Sequence, residues 1–162
     1  MTSTLEVAGA IGLCLSAYAV YVEYRHEEDS SYEAMCDVGE SMSCSKVLTS
    51  EWGHIVSHLG ILPRGHPLDL ANATWGIIYF ALVCLHRRFP LASFRAQAKA
   101  VFILTLPVVV VSLYLMYILF AVLQDLCLVC LSIYVVNLTV LVSSYRAFAP
   151  REQPEEERRK SD

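Results

Sequence analysis

The residues best suited to chemistry lie in one short stretch near the end of the chain: Cys127, Cys130, Tyr134 and Asn137. If the uncharged run around them is helical, the two cysteines share a face near its first turn, and the tyrosine and asparagine continue the same stripe. The N-terminus of a helix carries partial positive charge, which favours a thiolate over a thiol. The pattern therefore predicts a redox-active dithiol beside two hydrogen-bonding side chains.

Other interpretations of these residues stay open at this point. Cysteine is among the most buried residue types, and tyrosine and asparagine in membrane helices often only hydrogen-bond to neighbouring helices. A Cys-x-x-Cys pair can also supply half of a zinc site. His54, His58 and His66 do not favour a metal site, because no carboxylate or cysteine cluster supports their spacing. We therefore expect no bound metal, and the pair alone does not decide between redox chemistry and packing.

The composition indicates an integral membrane protein. Hydrophobic residues make up 56% of the 162 residues and charged residues only 17%, whereas soluble domains have about 25% charged residues. The chain has a small net charge of −4 and six cysteines. With no Gly-rich phosphate-binding motif in the sequence, nucleic acids and nucleotides are poor candidates as partners. The cysteines indicate an oxidising compartment on at least one face of the membrane.

Four apolar runs predict an all-α integral membrane protein built as a bundle of four transmembrane helices. A spanning helix needs about 17–25 apolar residues, and the runs cover residues 7–24, 68–85, 100–123 and 126–145. The second run is long enough only if Asp69 and Asn72 lie at the membrane interface, a level that also suits Trp75. Residues 1–150 then form a single membrane domain, and we expect residues 151–162 to be a disordered tail.

The segment between the first two spans, residues 25–70, is polar and too long for a simple connector. It contains Cys36 and Cys44, and Gly39 lets the chain between them fold back so that the two sulfurs can bond. A structural disulfide is the simplest interpretation of this pair. From Leu48 to Leu59 the apolar residues follow helical spacing, which predicts an amphipathic cap helix over the membrane mouth.

Basic residues predict the orientation in the membrane. The loop of residues 86–99 contains four of them and no acidic residue: Arg87, Arg88, Arg95 and Lys99. The positive-inside rule places this loop in the cytosol. Four spans then leave both termini in the cytosol, and both cysteine pairs face the other, oxidising side. In a eukaryotic cell that side is the lumen of the endoplasmic reticulum.

Two cysteine pairs of different character, one on a loop and one at a helix mouth, can exchange disulfides and so pass on two electrons. An acceptor among apolar helices should be a small lipophilic two-electron oxidant, and a quinone fits. Its carbonyl oxygens gain negative charge on reduction, which the Tyr134 hydroxyl and the Asn72 amide would stabilise in a dry pocket. A thiolate would supply the nucleophile.

Several motifs together resemble the vitamin K epoxide reductase family. They are Cys-Asp-Val-Gly-x-x-x-Ser-Cys-Ser at residues 36–45, Trp52-Gly53, Asn72 ahead of Gly76, and Cys127-x-x-Cys130-x-x-x-Tyr134. The resemblance runs from about Val7 to Tyr145 and rests on the combination, since no single motif is specific. It implies an enzyme of the endoplasmic reticulum membrane that reduces vitamin K 2,3-epoxide to the quinone and the quinone to the hydroquinone. It also implies inhibition by warfarin-type anticoagulants.

The resemblance implies a role for each of the four cysteines. Cys130 would attack the substrate, and Cys127 would be its resolving partner. Cys44 would exchange with Cys127 through a transient disulfide. Cys36 would accept electrons from a luminal oxidoreductase with a thioredoxin fold.

The same resemblance implies which residues contact the substrate. Asn72 and Tyr134 would donate hydrogen bonds to its carbonyl oxygens, and Trp75 would form part of the pocket wall where the family often has phenylalanine. Vitamin K and its epoxide would be substrates, and no tightly bound cofactor is implied.

Two other functions remain as alternatives. A quinone-coupled thiol oxidase of the bacterial disulfide-forming kind also uses four helices, a loop pair and a helix-mouth pair, but it oxidises client proteins. Reduction of an epoxide, rather than of a quinone only, separates the reductase from this oxidase. A four-span scaffold would hold Cys36–Cys44 as an inert bridge and would leave the Cys-x-x-Cys pair without a role.

Overall fold

The regular secondary structure is helical throughout the residues that the computed structural model describes, which are 2–39, 42–63, 66–88 and 93–149. In chain order the α-helices are α1 (Thr2–Glu28), α2 (Cys44–Leu48), α3 (Ile55–His58), α4 (Asn72–Leu85), α5 (Phe94–Ile118) and α6 (Leu128–Phe148). Short 3-10 helices occupy Glu51–Gly53 and His86–Arg88, and a π-helical segment, Leu119–Leu123, extends α5. The prediction of an all-α chain is confirmed for this part of the molecule.

Within the described ranges, three helical segments are long and apolar enough to cross a membrane: Thr4–Glu28, Phe94–Leu123 and Leu128–Phe148. They make the chain a multi-pass membrane protein. Helix α4 has 14 residues, fewer than the about 17 that a spanning helix normally needs. The count of four spans therefore stays a prediction. The tail predicted at residues 151–162 lies outside the described residues.

Close packing of small residues brings the long helices together. Helix α1 packs against α4 and α6, and α5 packs against α6. A Cβ atom on Gly12 of α1 would collide with the ring of Phe80 of α4, and one on Gly76 would lie 2.6 Å from Ser16 Oγ. Small residues at such contacts let helix backbones approach closely, which is how membrane helices gain packing energy without a hydrophobic driving force.

Two hydrogen bonds between side chains tie the helices further. The Asn137 amide of α6 donates to Ser112 Oγ of α5 over 2.9 Å, and the hydroxyls of Tyr79 and Thr105 lie 3.0 Å apart. Asn137 is 2% exposed. This amide therefore joins α6 to α5, as polar side chains commonly join neighbouring membrane helices.

The cap over the membrane mouth differs from the single amphipathic helix that the sequence predicts. Leu48 to Leu59 is divided among the end of α2, a 3-10 helix and α3. The break follows from side chains that bond to the backbone: the Thr49 hydroxyl donates to the Ser45 carbonyl and the Ser50 hydroxyl to the Val47 carbonyl. Such bonds compete with helix continuation, so α2 ends after two turns at most.

The connection from α5 to α6 also departs from the predicted boundary. Gln124 has a positive φ of 55°, the left-handed conformation that ends many helices. The chain then runs extended to Cys127, and α6 begins at Leu128 instead of residue 126. This shift of two residues makes Cys127 the N-cap of α6 and not a member of its first turn.

Candidate active site

A cavity of about 350 Å³ opens between α1, α4, α5, α6 and the cap segments. Its wall is mostly apolar, and the side chains in it that carry a polar group are Ser16, Glu23, Ser50, Trp52, Asn72, Trp75, Tyr79, Ser112, Cys130, Tyr134 and Asn137. Cavities of this size that combine apolar walls with a few placed polar groups are typical of small-molecule sites. Pro107 of α5 also lines it.

The two cysteines of the Cys-x-x-Cys pair have different positions relative to this cavity. Cys130 is among the lining residues and Cys127 is not. Cys127 is fully buried, and its sulfur accepts a hydrogen bond from the Cys130 backbone N–H over 3.2 Å. One sulfur therefore faces the cavity and the other lies behind it, at the N-terminus of α6.

The surroundings of Cys127 favour its thiolate. A hydrogen bond from the Cys130 thiol lowers the pKa of Cys127, and the backbone N–H groups of Cys130 and Val129 lower it further, against the opposing effect of burial. This is the N-terminal stabilisation of a thiolate that the sequence predicts, placed on a particular sulfur. In the reduced pair, Cys127 is thus the hydrogen-bond acceptor and Cys130 the donor, so Cys130 has to give up its proton before its sulfur can attack a substrate.

The loop cysteines are joined in a disulfide, Cys36–Cys44, with their Cα atoms 5.9 Å apart. The predicted fold-back of the loop is therefore present. Asp37 stabilises it, because its carboxylate accepts hydrogen bonds from the backbone N–H of Ala34 and from the N–H and hydroxyl of Ser45. Burial of the Asp37 carboxyl opposes ionisation, but these hydrogen bonds prevail and lower its pKa.

The structure brings the loop pair next to the helix pair. Cys36, Cys44 and Cys127 belong to one buried cluster, with Cys130 packed against it. The exposed Lys46 of α2 forms an ion pair of 3.0 Å with the buried Asp125, two residues before Cys127. Met42 and Leu126 also pair through an isolated backbone bridge. Four cysteines from segments far apart in sequence thus meet at one end of the helices.

Asn72, Tyr134 and Trp75, the three residues that the family resemblance implies as substrate contacts, all line the cavity. Asn72 also has a structural role, since its side-chain oxygen accepts the Ile55 N–H over 3.1 Å and its nitrogen donates to the Trp52 carbonyl over 2.7 Å. It thereby fixes the cap onto the first turn of α4. Of the two N–H bonds of an amide group, this arrangement commits one to the cap. Trp75 is 41% exposed and so covers only part of the wall.

Glu23 lies within the predicted first span, residues 7–24, where the sequence alone gave it no role, and in the structure it lines the cavity. It lies on the same face of α1 as Ser16 and Ala19, and all three line the cavity. A signal was present, because an ionisable residue within a membrane-spanning helix is costly and commonly functional.

Comparison with known proteins identifies relatives over most of the chain. The family model described as "Vitamin K epoxide reductase family" matches residues 4–145. Two curated proteins called "Vitamin K epoxide reductase complex subunit 1", from Mus musculus and Rattus norvegicus, are each 34% identical to this chain over 140 residues. The aligned part covers 83% of this chain and 83% of each relative.

Proposed function

Because the chain belongs to the vitamin K epoxide reductase family, we propose that this membrane oxidoreductase reduces vitamin K 2,3-epoxide to the quinone and the quinone to the hydroquinone. The observation that carries the proposal is the division of the dithiol: Cys130 lines an apolar cavity while its partner Cys127 lies behind it. A lipophilic substrate in the cavity would meet one sulfur, and the second sulfur would be placed to release it.

The reaction on the epoxide follows from this division. The Cys130 sulfur attacks a substrate carbon, so a C–S bond forms, the C–O bond of the epoxide breaks and the oxygen takes a proton. The Cys127 sulfur then attacks the Cys130 sulfur, so the S–S bond forms and the C–S bond breaks. The electron pair of the broken C–S bond stays on the substrate carbon and expels the neighbouring hydroxyl group, which takes a second proton and leaves as water. Two thiols become a disulfide, and the epoxide becomes a quinone.

Asn72 and Tyr134 would act on the substrate carbonyls. Hydrogen-bond donors stabilise the negative charge that develops on an oxygen, most strongly where water is excluded. Support comes from their place in the cavity wall and from the fixed position of Asn72, whose amide is anchored to the cap backbone. Trp75, which is partly exposed, would close the outer side of the cavity.

Electrons would reach the cavity through the loop pair. A luminal oxidoreductase with a thioredoxin fold would reduce Cys36–Cys44 by attack on Cys36, and the freed Cys44 would exchange with a Cys127–Cys130 disulfide through Cys127. Support comes from the shared buried cluster of Cys44 and Cys127 and from the Lys46–Asp125 ion pair beside it.

The proposed arrangement in the membrane uses α4 as a fourth span. Its 14 helical residues would be extended by the flanking residues 68–71, which gives the span of 68–85 expected from the sequence. Residues 1–150 would form one domain in the endoplasmic reticulum membrane, with both termini cytosolic and the cap and all four site cysteines luminal. Warfarin-type anticoagulants would compete for the cavity, and no tightly bound cofactor is required.

The test is turnover of vitamin K epoxide by purified protein in detergent with a small dithiol as reductant. We expect conversion to the quinone in the unmodified protein and a loss of at least about 100-fold in Cys130→Ser, because serine is a far weaker nucleophile than a thiolate. Cys84→Ser is the matched control: this free cysteine of α4 is not among the cavity residues, and its loss should leave turnover unchanged.

Two results would contradict the proposal. Full dithiol-driven turnover in Cys130→Ser would remove that sulfur from the reaction. Reduction of a plain quinone without any reduction of the epoxide would point to the thiol oxidase instead.

A further inference from the structure

Glu23 is the one Asp, Glu, Lys, Arg or His side chain that lines the cavity in the described part of the chain. It is half-buried, and none of the described residues gives it a hydrogen bond or an ion pair. The neighbouring charges of α1 behave differently: Arg25 pairs with Glu28 at 3.5 Å, and Glu27 is exposed. A carboxyl group without a partner in an apolar wall is energetically costly. Ionisable residues kept in membrane helices at such a cost are commonly functional.

The proposed reaction needs a proton carrier at this place. Reduction of the epoxide moves two protons from the thiols to the substrate oxygen, which leaves as water. Carboxyl groups are among the side chains that transfer protons to reacting groups, and such transfer contributes about 10²–10⁴-fold to rates. The other titratable groups in the wall are Cys130 and Tyr134 of α6 and Tyr79 of α4, and Tyr79 is already bonded to Thr105.

We propose that Glu23 is the general acid and base of this cavity, carrying each thiol proton in turn to the substrate oxygen. This inference rests on the proposed function. As the Cys130 sulfur bonds to carbon and the C–O bond breaks, Glu23 passes the first thiol proton to the oxygen. As the S–S bond forms and the C–S bond breaks, it passes the second, and water leaves. Glu23 ends in the protonation state in which it began, and the two thiols supply all of the electrons and protons.

The position of Glu23 suits proton transfer better than that of any other carboxylate in the described residues. It shares the cavity wall with the reacting sulfur of Cys130, and Ser16 and Ala19 continue its face of α1 along the wall. Glu27, one turn further on the same helix, is exposed and is not among the lining residues. Glu27 is therefore a matched control with the same side chain on the same helix.

The experiment measures a single turnover: fully reduced protein is mixed with vitamin K epoxide, without further reductant, and the quinone formed is followed with time. We expect Glu23→Gln to slow the reaction at least about tenfold, and Glu27→Gln to stay within about twofold. Glu23→Asp keeps a carboxyl group and should retain more activity than Glu23→Gln. Thermal unfolding should match the unmodified protein, because folding does not require a proton carrier.

Chemical rescue distinguishes proton transfer from a structural role. Glu23→Ala leaves space that a small carboxylic acid can enter, so acetate or propionate should speed its single turnover several-fold and should not affect Glu23→Gln. If Glu23→Ala does not fold, the comparison of Glu23→Asp with Glu23→Gln decides. A larger rate in the aspartate variant supports the carrier, and equal losses overturn it.

The results also separate this inference from the function on which it rests. An unchanged rate in Glu23→Gln, or a slow Glu23→Ala that no acid restores, overturns the role of Glu23 while an inactive Cys130→Ser keeps the reductase. Failure of the unmodified protein to reduce the epoxide, or activity in Cys130→Ser, overturns the proposed function itself.

Discussion

The cysteine pair of the loop and the cysteine pair of α6 differ in what holds their sulfur atoms. Cys36 and Cys44 are bonded to each other, and the chain around them is stabilised by hydrogen bonds to the Asp37 carboxylate. Cys127 and Cys130 are free thiols, and the N-terminus of α6 supplies the N–H that Cys127 accepts. Local polar contacts on a loop can open at low cost, whereas a helix end is held by the packing of the whole helix.

This difference suggests a division of labour. We expect the loop pair to be the one that meets soluble thiols, because Cys36 lies between the exposed side chains of Met35 and Val38. In the helix pair only Cys130 lines the cavity, so a substrate bound there can be attacked only by the Cys130 sulfur. The comparison leads to three predictions, from the largest effect to the smallest.

The first prediction separates the two pairs by their source of electrons. Cys36→Ala combined with Cys44→Ala should lower turnover driven by a reduced thioredoxin-fold protein by at least about 100-fold, because the relay has lost its first disulfide. With a small dithiol the same variant should stay within about threefold of the unmodified protein, since a small reductant reaches the helix pair directly. Both rates are measured as vitamin K epoxide consumed.

The control is Cys14→Ala combined with Cys84→Ala, which removes the two remaining cysteines and should change neither rate. Equal losses with both reductants in the loop variant would mean that the two pairs do not divide the work.

The second prediction tests what holds the loop pair. Asp37→Ala removes a carboxylate that accepts hydrogen bonds from Ala34 and Ser45, and leaving buried donors unpaired costs about 1–3 kcal/mol. Backbone hydrogen exchange at Ala34 and Ser45 should therefore accelerate by about 5- to 100-fold. Asp29→Ala is the matched control, because Asp29 also accepts an N–H and a hydroxyl from one serine, Ser31, away from the disulfide.

The contribution of Asp37 should depend on pH in a defined direction. Its pKa is lowered in the folded protein, so its stabilisation of the loop is complete above the unfolded value of about 3.9 and is lost as the pH falls through the lower folded pKa. Exchange protection at Ser45 that did not respond to acid would show that another contact holds the loop.

The third prediction concerns the ion pair that joins the two regions. Lys46 is 68% exposed at its side chain and Asp125 is 8% exposed. Ion pairs at the protein surface contribute about 1 kcal/mol or less, and water reaches the lysine end of this pair. Lys46→Ala should therefore slow turnover with a thioredoxin-fold reductant by about two- to fivefold and leave turnover with a small dithiol unchanged. High salt should reduce the difference between variant and unmodified protein, and an equal loss with both reductants would place Lys46 in the chemistry instead.

Much of the fold could be predicted because apolar runs report directly on membrane helices. The runs at residues 7–24, 100–123 and 126–145 each fall within a helix long enough to span, apart from a shift of two residues at the start of α6. The cap was harder to predict. Its apolar spacing is helical, but the hydroxyls of Thr49 and Ser50 bond to the backbone and divide it, and periodicity does not record such local competition.

In the candidate site, too, the sequence pattern did not record contacts that depend on how the chain packs. The sequence predicted a site with four cysteines, and the family resemblance added Asn72, Tyr134 and Trp75 as substrate contacts. These three residues line the cavity, and their contact with a substrate stays a prediction. The sequence did not predict that Asn72 would also anchor the cap through Trp52 and Ile55, since those partners lie about 17 to 20 residues away and only the packed cap brings them near.

Residue types and spacing by themselves determined that this chain is an all-helical membrane protein with two cysteine pairs, because hydrophobicity and thiol chemistry belong to the residues. Only the tertiary structure decided which sulfur faces the cavity, which carboxylate accompanies it and how the loop pair meets the helix pair. The physical reason is that Glu23, Cys44 and Cys130 come from helices far apart in the sequence, and their surroundings exist only once those helices are packed.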